Sequence, residues 1–154
     1  MKPIRNSAKA IIVENDQVLA ARMVDGDGDW YALPGGGQQR GETLVETVKR
    51  ECLEEIGTSV HVHEMRFIRE YIAEHHEFAN YEIDVHQIEF MFRCTLESGS
   101  RPVMGSAPDA RQIGLAWLPL DRLGDYRLYP LALRSHAANF NSEPGPLIYL
   151  GDVN

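Results

Sequence analysis

Residues 35–58 read GGGQQRGETLVETVKRECLEEIGT, and the rest of the chain is best understood outward from them. Thr43 followed three positions later by Glu46 is the signature of a reciprocal cap, in which each side chain satisfies the other residue's backbone N–H, so a helix is expected to start there. Gly57 is expected to end it, because glycine enters the left-handed conformation just past a helix terminus without steric cost. Between those marks Val45, Val48, Cys52 and Ile56 recur at spacings of three and four. That is the period of one apolar stripe facing a core, so a packed helix is predicted.

Glu51, Glu54 and Glu55 carry the chemistry. At about 100° per residue they share one sector of the helix, beside the stripe. Like charges at these spacings repel by a few tenths of a kcal/mol per pair, and near the C-terminus the helix dipole disfavours each anion by about 0.3–1 kcal/mol. Local helix chemistry gives no reason for this placement. A hard divalent cation does, since Mg²⁺ or Mn²⁺ takes carboxylate and carbonyl oxygens and cancels the repulsion. A solvated acidic face is the competing explanation. The run of Gly35, Gly36 and Gly37 favours the cation, because glycines permit a close approach that brings a main-chain carbonyl to the same ion.

Gly36, five residues, Glu42, seven residues, then Arg50-Glu51-Cys52-Leu53-Glu54-Glu55-Ile56-Gly57-Thr58 resemble the Nudix box, G-x5-E-x7-R-E-U-x-E-E-x-G-U with U a bulky aliphatic residue. Every glycine and charged position matches. Cys52 and Thr58 depart at the U positions, which bears on packing more than on chemistry. The resemblance is strongest over residues 32–58, weaker over 8–135 and absent beyond. It implies an α/β fold, an α/β/α sandwich with a mixed β-sheet, over residues 1–154 as a single domain. It also implies hydrolysis of a nucleoside diphosphate linked to another moiety, X, by attack of water at phosphorus with Mg²⁺ or Mn²⁺ as cofactor.

Carried over by position, the resemblance makes Glu51 and Glu55 metal ligands, with Glu54 contributing directly or through water and the Gly35 carbonyl as a fourth oxygen. Arg50 would hold the glutamates by a salt bridge, and Glu42 would bind metal weakly or brace the loop. Glu51, or an acidic residue from outside the box, would assist deprotonation of water; Glu89 is the first candidate and Glu97 the second. Arg22 is placed as a phosphate contact. The substrate, a nucleotide-derived small molecule, stays open between a nucleoside triphosphate and a nucleotide sugar. A catalytically silent nucleotide-sensing module of the same fold is the alternative, although such modules usually lose box carboxylates and here all are intact.

Around the box, apolar runs at 8–14 and 17–23 flank Asn15-Asp16 and predict a hairpin. Residues 25–29, DGDGD, imitate the start of an EF-hand loop, but Trp30 and Gly36 stand where that loop needs glycine and glutamate, so a mobile loop is expected. Trp30 opens a short strand into the glycines and either stacks on a base or wedges under the loop. Residues 58–72 predict a strand, in which His61 and His63 share a face but give only a weak zinc signal. Residues 74–81 predict a loop over the site, with His75, His76 and Phe78 as substrate contacts. Strand alternation over 86–96 puts Glu89 and Arg93 opposite a core face made by Ile88, Phe90 and Phe92. Residues 98–107 read as a connection, 115–120 as a short buried strand, Asp121 as an N-cap and 130–138 as a second helix.

Composition sets the limits. Fifteen Lys and Arg against 23 Asp and Glu leave a formal charge of −8, which argues against bulk nucleic-acid binding and suits a small phosphorylated substrate neutralised by metal and local arginines. Cys52 and Cys94 form no CxxC pair, so a reduced, cytoplasmic protein is expected. The apolar run at 10–13 is too short for a signal core or a membrane span. A homodimer is compatible with the family, with the strand at 58–72 as its interface.

Overall fold

The computed structural model describes residues 2–80, 84–141, 143 and 145–154. Asn15 and Asp16 take φ of 50° and 58°, the handedness that a two-residue hairpin turn demands, and set β1 (Arg5–Glu14) against β2 (Gln17–Asp25). These strands are paired only at Val13 with Val18 and at Glu14 with Gln17. Beyond that they diverge. β3 (Gly28–Ala32) pairs with the far part of β2, and β4 (Gly35–Gly37) pairs with the far part of β1. One continuous run of chain therefore lines both arms of a fork.

The sheet continues from β1 through β6 (His86–Leu96) to β5 (Val60–Ile72) and β9 (Ile148–Asp152), while β7 (Gln112–Pro119) joins β2 and β8 (Leu128–Tyr129) joins β3. β1 with β6 and β5 with β9 are parallel, and β5 with β6 is antiparallel. The sheet is mixed, as expected of this α/β architecture.

Among the described residues a single α-helix, α1 (Leu44–Ile56), covers one face, with the reciprocal Thr43–Glu46 cap formed and Gly57 left-handed at φ 66°. Its Val48, Cys52 and Ile56 pack on Ala8, Ala10, Ile12, Phe92 and Cys94. Val45 stands 38% exposed and Glu55 is buried in its stead, so the stripe is rotated toward the glutamates. On the opposite face Ile11, Phe67 and Met91 meet Leu123, Leu133 and Phe140. Phe67 touches Phe140 and His136 edge-to-face, with centroids 5.9 and 5.6 Å apart, a geometry that complements the ring quadrupoles.

Several local expectations change. The predicted second α-helix is a 3₁₀ segment, Leu131–Asn139, kinked at His136; Leu133 is its one buried residue, so it has no wide apolar stripe to pack an α-helix. Asp121 is not a cap, since it lies inside the 3₁₀ segment Leu120–Asp125, whose N-cap is Pro119. The DGDGD stretch is a tight turn between β2 and β3, fixed by the Asp27 N–H to Asp25 Oδ1 bond of 2.9 Å and by Arg127, which holds both Asp25 oxygens at 3.0 and 2.9 Å. β5 is flanked by β6 along its length and by β9 over Phe67–Glu70, so that part of it offers no free edge for a dimer. Of the 74–81 loop, Tyr81 lies outside the described residues. No helix among the described residues is long and apolar enough to cross a membrane.

Phe67 is the knot of the second core. Phe67→Ala is expected to cost about 3–5 kcal/mol in urea unfolding; a loss under about 1 kcal/mol would contradict this packing.

Candidate active site

The three glycines of β4 are pressed on both sides. A Cβ on Gly36 would sit 2.6 Å from the Glu51 carboxyl carbon, while one on Gly35 would strike Ala8 O and Lys9, and one on Gly37 would strike the Arg5 guanidinium. Successive residues of a strand face opposite ways. A side-chain-free ribbon thus separates a helix carboxylate on one face from two cations of β1 on the other.

Arg50 gathers the helix side. It donates to Glu42 at 2.5 and 3.1 Å, to Glu51 at 2.9 Å, to Glu54 at 3.3 Å and to the Gly37 carbonyl at 3.0 Å. The Arg50 bond, aided by the Gln39 N–H, holds the Glu42 carboxyl at about 2. Glu55 differs: burial pushes its carboxyl up to about 7, against the pull of Lys9 and the Gly35 N–H. That N–H donates to Glu55 at 3.0 Å, and the Gly35 carbonyl accepts from Lys9 Nζ at 3.1 Å.

The expected ligands Gly35, Glu51, Glu54 and Glu55 are therefore neighbours, and all offer the oxygen donors that Mg²⁺ or Mn²⁺ requires. Their oxygens are turned onto Arg50, Lys9 and the Gly35 N–H, and no three His, Cys, Asp or Glu side chains among the described residues converge as a ready-made cation site. A cation fits here because Glu55, only 7% exposed, is a carboxylate whose ionised form burial disfavours and a nearby positive charge restores.

The unfavourable helix end is handled by a loop that the sequence pattern left as a plain connection. Val103, Gly105 and Ala107 donate backbone N–H groups to the carbonyls of Ile56, Glu55 and Glu54 at 3.0, 3.2 and 3.1 Å, and Gln112 Nε2 reaches the Glu55 carbonyl at 3.1 Å. These donors satisfy the orphan carbonyls that make the terminus negative. Gly105 is needed there, since a Cβ would meet the Glu54 backbone.

On the other side of the ribbon, in the fork, lies a cleft of about 530 Å³ lined by Lys9, Arg5, Trp30, Phe78, Tyr129 and Glu89 among others. Trp30 and Phe78 both line it, each edge-to-face with Tyr129 at 5.8 Å. Tyr129 was missed because a lone Tyr-Pro ahead of a predicted helix carries no pattern. Glu89 is not a surface residue: β6 is covered on both faces, and Glu89 is 4% exposed. Arg69 and Gln87 donate to it at 3.0 and 2.7 Å. Burial would neutralise it, but the charges of Arg69, Lys9 and Arg5 prevail and keep its pKa below the usual carboxylate value. Arg22 lies outside the cleft lining and pairs with Asp29 at 2.9 Å.

His75 and His76 are turned from substrate to structure. They hold Asp152 at 2.6 and 2.7 Å, and Ile72 N–H donates to it at 3.0 Å. Burial alone would raise the Asp152 pKa, yet these bonds outweigh it and hold it at about 2. The cluster ties the segment that carries Phe78 to β9. His63 bonds Thr95 at 2.8 Å and takes no part in the cleft.

The NUDIX domain model matches residues 3–140. The chain belongs to the NUDIX family. Among curated NUDIX relatives, the RNA pyrophosphohydrolase of Helicobacter pylori is 41% identical over a stretch covering 38% of this chain and 40% of that protein. The chain thus spans about two-fifths of the length of the curated relatives it matches. Solved structures agree in fold: the MutT protein of Bacillus halodurans has TM-score 0.67 at 23% identity over 96% of this chain and 90% of that one. An ADP-ribose pyrophosphatase from Streptococcus suis has TM-score 0.63 at 21% identity, covering 96% and 99%.

Two outcomes follow from this NUDIX geometry. Gly36→Ala should lose about 1–3 kcal/mol to overpacking, and Glu51→Ala in the same chain should recover most of it; urea unfolding of the single and double variants would refute the ribbon packing if their losses simply added. Asp152 has its folded pKa below its unfolded one, so its contribution is present above about 3.8 and is lost as pH falls toward 2. Asp152→Asn should lower the melting temperature at pH 7 and leave it nearly unchanged relative to wild type at pH 2.

Proposed function

We propose that the chain is a metal-dependent pyrophosphohydrolase that cleaves the diphosphate linkage of a nucleoside diphosphate derivative by attack of water at phosphorus. The observation that carries this reading is the glycine ribbon, with box carboxylates on one face and with Lys9, Arg5 and an aromatic-walled cleft on the other. Each half answers one part of such a substrate.

The base is to lie among Trp30, Phe78 and Tyr129, whose rings offer stacking faces at low entropic cost. Lys9 and Arg5 draw the phosphates to the ribbon and offset their charge. Glu51, Glu55 and the Gly35 carbonyl would hold Mg²⁺ or Mn²⁺, with Glu54 joining directly or through water. When bound, the ion neutralises phosphate oxygens and acidifies a water. Arg50 fixes Glu51 and Glu54 against the ribbon, so their repulsion is contained before substrate arrives.

Glu89 is assigned as the proton acceptor. It lines the cleft and is kept ionised at neutral pH by Arg69, Lys9 and Arg5. Arg22, bound to Asp29 away from the cleft, has no part in this scheme. The substrate's nucleotide is a 5′-polyphosphate, free or at the end of an RNA, or a nucleotide sugar; the name of the Helicobacter pylori relative favours the first.

Incubating the chain and Mg²⁺ with nucleoside triphosphates, a 5′-triphosphorylated RNA and nucleotide sugars in ¹⁸O water, with products weighed by mass spectrometry, should give a nucleotide product labelled on one phosphate. No labelled product from any of them would refute the reading. Glu55→Gln should cut kcat/KM by about 100-fold, the loss of a few kcal/mol of charge stabilisation, and should abolish the rise in melting temperature that Mg²⁺ gives by mass action. Glu89→Gln should lower kcat by about 10²–10⁴ while keeping that rise. Near-full activity of Glu55→Gln at saturating Mg²⁺ would contradict the ligand set.

A further inference from the structure

A second cavity, a groove of about 610 Å³, opens where Lys2, Arg5 and Arg40 come together beside Asn6, Gln38 and His86. Arg5 and Val85 line both this groove and the cleft, so the two are joined across those side chains. The volume falls in the range of ligand-sized pockets, about 300–1,000 Å³.

Its charge runs against the rest of the molecule. The chain carries a formal −8, and Arg22, Arg50, Arg69, Arg93 and Arg127 are each spent on a carboxylate. Among the described residues, Lys2, Arg5 and Arg40 form no such pair, and Asp84 is the single acid in the groove lining. Asn6 donates to Gln38 at 3.1 Å and Gln38 to the Glu42 carbonyl at 2.8 Å. The floor is therefore tied to the loop that leads into α1, while the cations above it are left for something else.

The linings also differ in kind. Trp30, Tyr71, Phe78 and Tyr129 wall the cleft, whereas among the described residues no Phe, Tyr or Trp lines the groove, whose apolar part is Pro3, Ile4 and Val85. A base belongs in the first and an anion in the second. Arg5, laid over Gly37, stands between them where the phosphates of the proposed substrate would lie.

We propose that this groove is a second anion subsite, that it holds a phosphate carried by X, and that the preferred substrates are nucleotides whose X ends in phosphate. This rests on the pyrophosphohydrolase reading for its meaning in turnover, although the groove itself can be tested without it. Fully exposed cations act over a Debye length of about 8–10 Å at ordinary salt, so the preference weakens as ionic strength rises.

Titration calorimetry of inorganic tripolyphosphate into the metal-free full chain at low salt reads the groove directly. Lys2→Ala with Arg40→Ala should bind it at least about tenfold more weakly than wild type, and Asp84→Asn should bind it more tightly. Equal affinities in wild type and the double variant, or no binding by wild type, overturn the proposal. Hydrolysis with Mg²⁺ then compares adenosine tetraphosphate with ADP-ribose, whose terminal sugar is uncharged. The double variant should lose about tenfold in kcat/KM on the tetraphosphate, through KM, and none on ADP-ribose. Equal losses on both would give Lys2 and Arg40 a structural role and overturn it. Absence of turnover on both substrates would count against the pyrophosphohydrolase reading instead, with the titration deciding the groove.

Discussion

A strand without side chains, wedged between an acidic helix and a basic strand, is the constraint on which the rest of the molecule depends. Opposite charges separated by one backbone layer attract strongly wherever water is kept out, and only glycine lets them come that close. Gly36 receives the Glu51 carboxyl, and Gly35 and Gly37 receive Lys9 and Arg5. Any side chain in the ribbon would push one partner away. The fork between β1 and β2 exists to admit this layer, and the cleft is the space left in the fork.

Holding acids at the wrong end of a helix requires a counterweight, and there are two. Arg50 spreads one positive charge over Glu42, Glu51 and Glu54. The loop at 103–107, with Gln112, covers the terminal carbonyls so that the dipole no longer ends in bare acceptors. Glu55 stays outside both arrangements except through Gly35, and its raised pKa is the residue of that imbalance. A buried carboxylate whose ionised form wants positive charge is a suitable ligand for a cation that comes and goes.

The helix, its caps, the first hairpin and the strand character of β5 and β6 were legible because each rests on local chemistry: the Thr43–Glu46 pair, Gly57, Asn15-Asp16 and alternation. The box residues were legible through their resemblance to the Nudix box. What stayed hidden depends on contacts distant in sequence. Arg22 pairs with Asp29 seven residues on, which no local pattern signals, and Tyr129 joins Trp30 only because β8 runs beside β3. Glu89 looked exposed because alternation cannot reveal that a second layer covers the other face. The 3₁₀ segment Leu131–Asn139 reads as a helix because its length and leading proline fit one, whereas its apolar spacing buries Leu133 alone.

Because β3 and β4 are one run of chain serving both arms, the two residues between them, Leu33 and Pro34, set a parity. Adding or deleting a single residue there would turn every position of the ribbon to its opposite face, bringing Gly36 toward Lys9 and presenting its neighbours to Glu51. Unless the connection absorbs the change, length at this point decides which face each glycine presents.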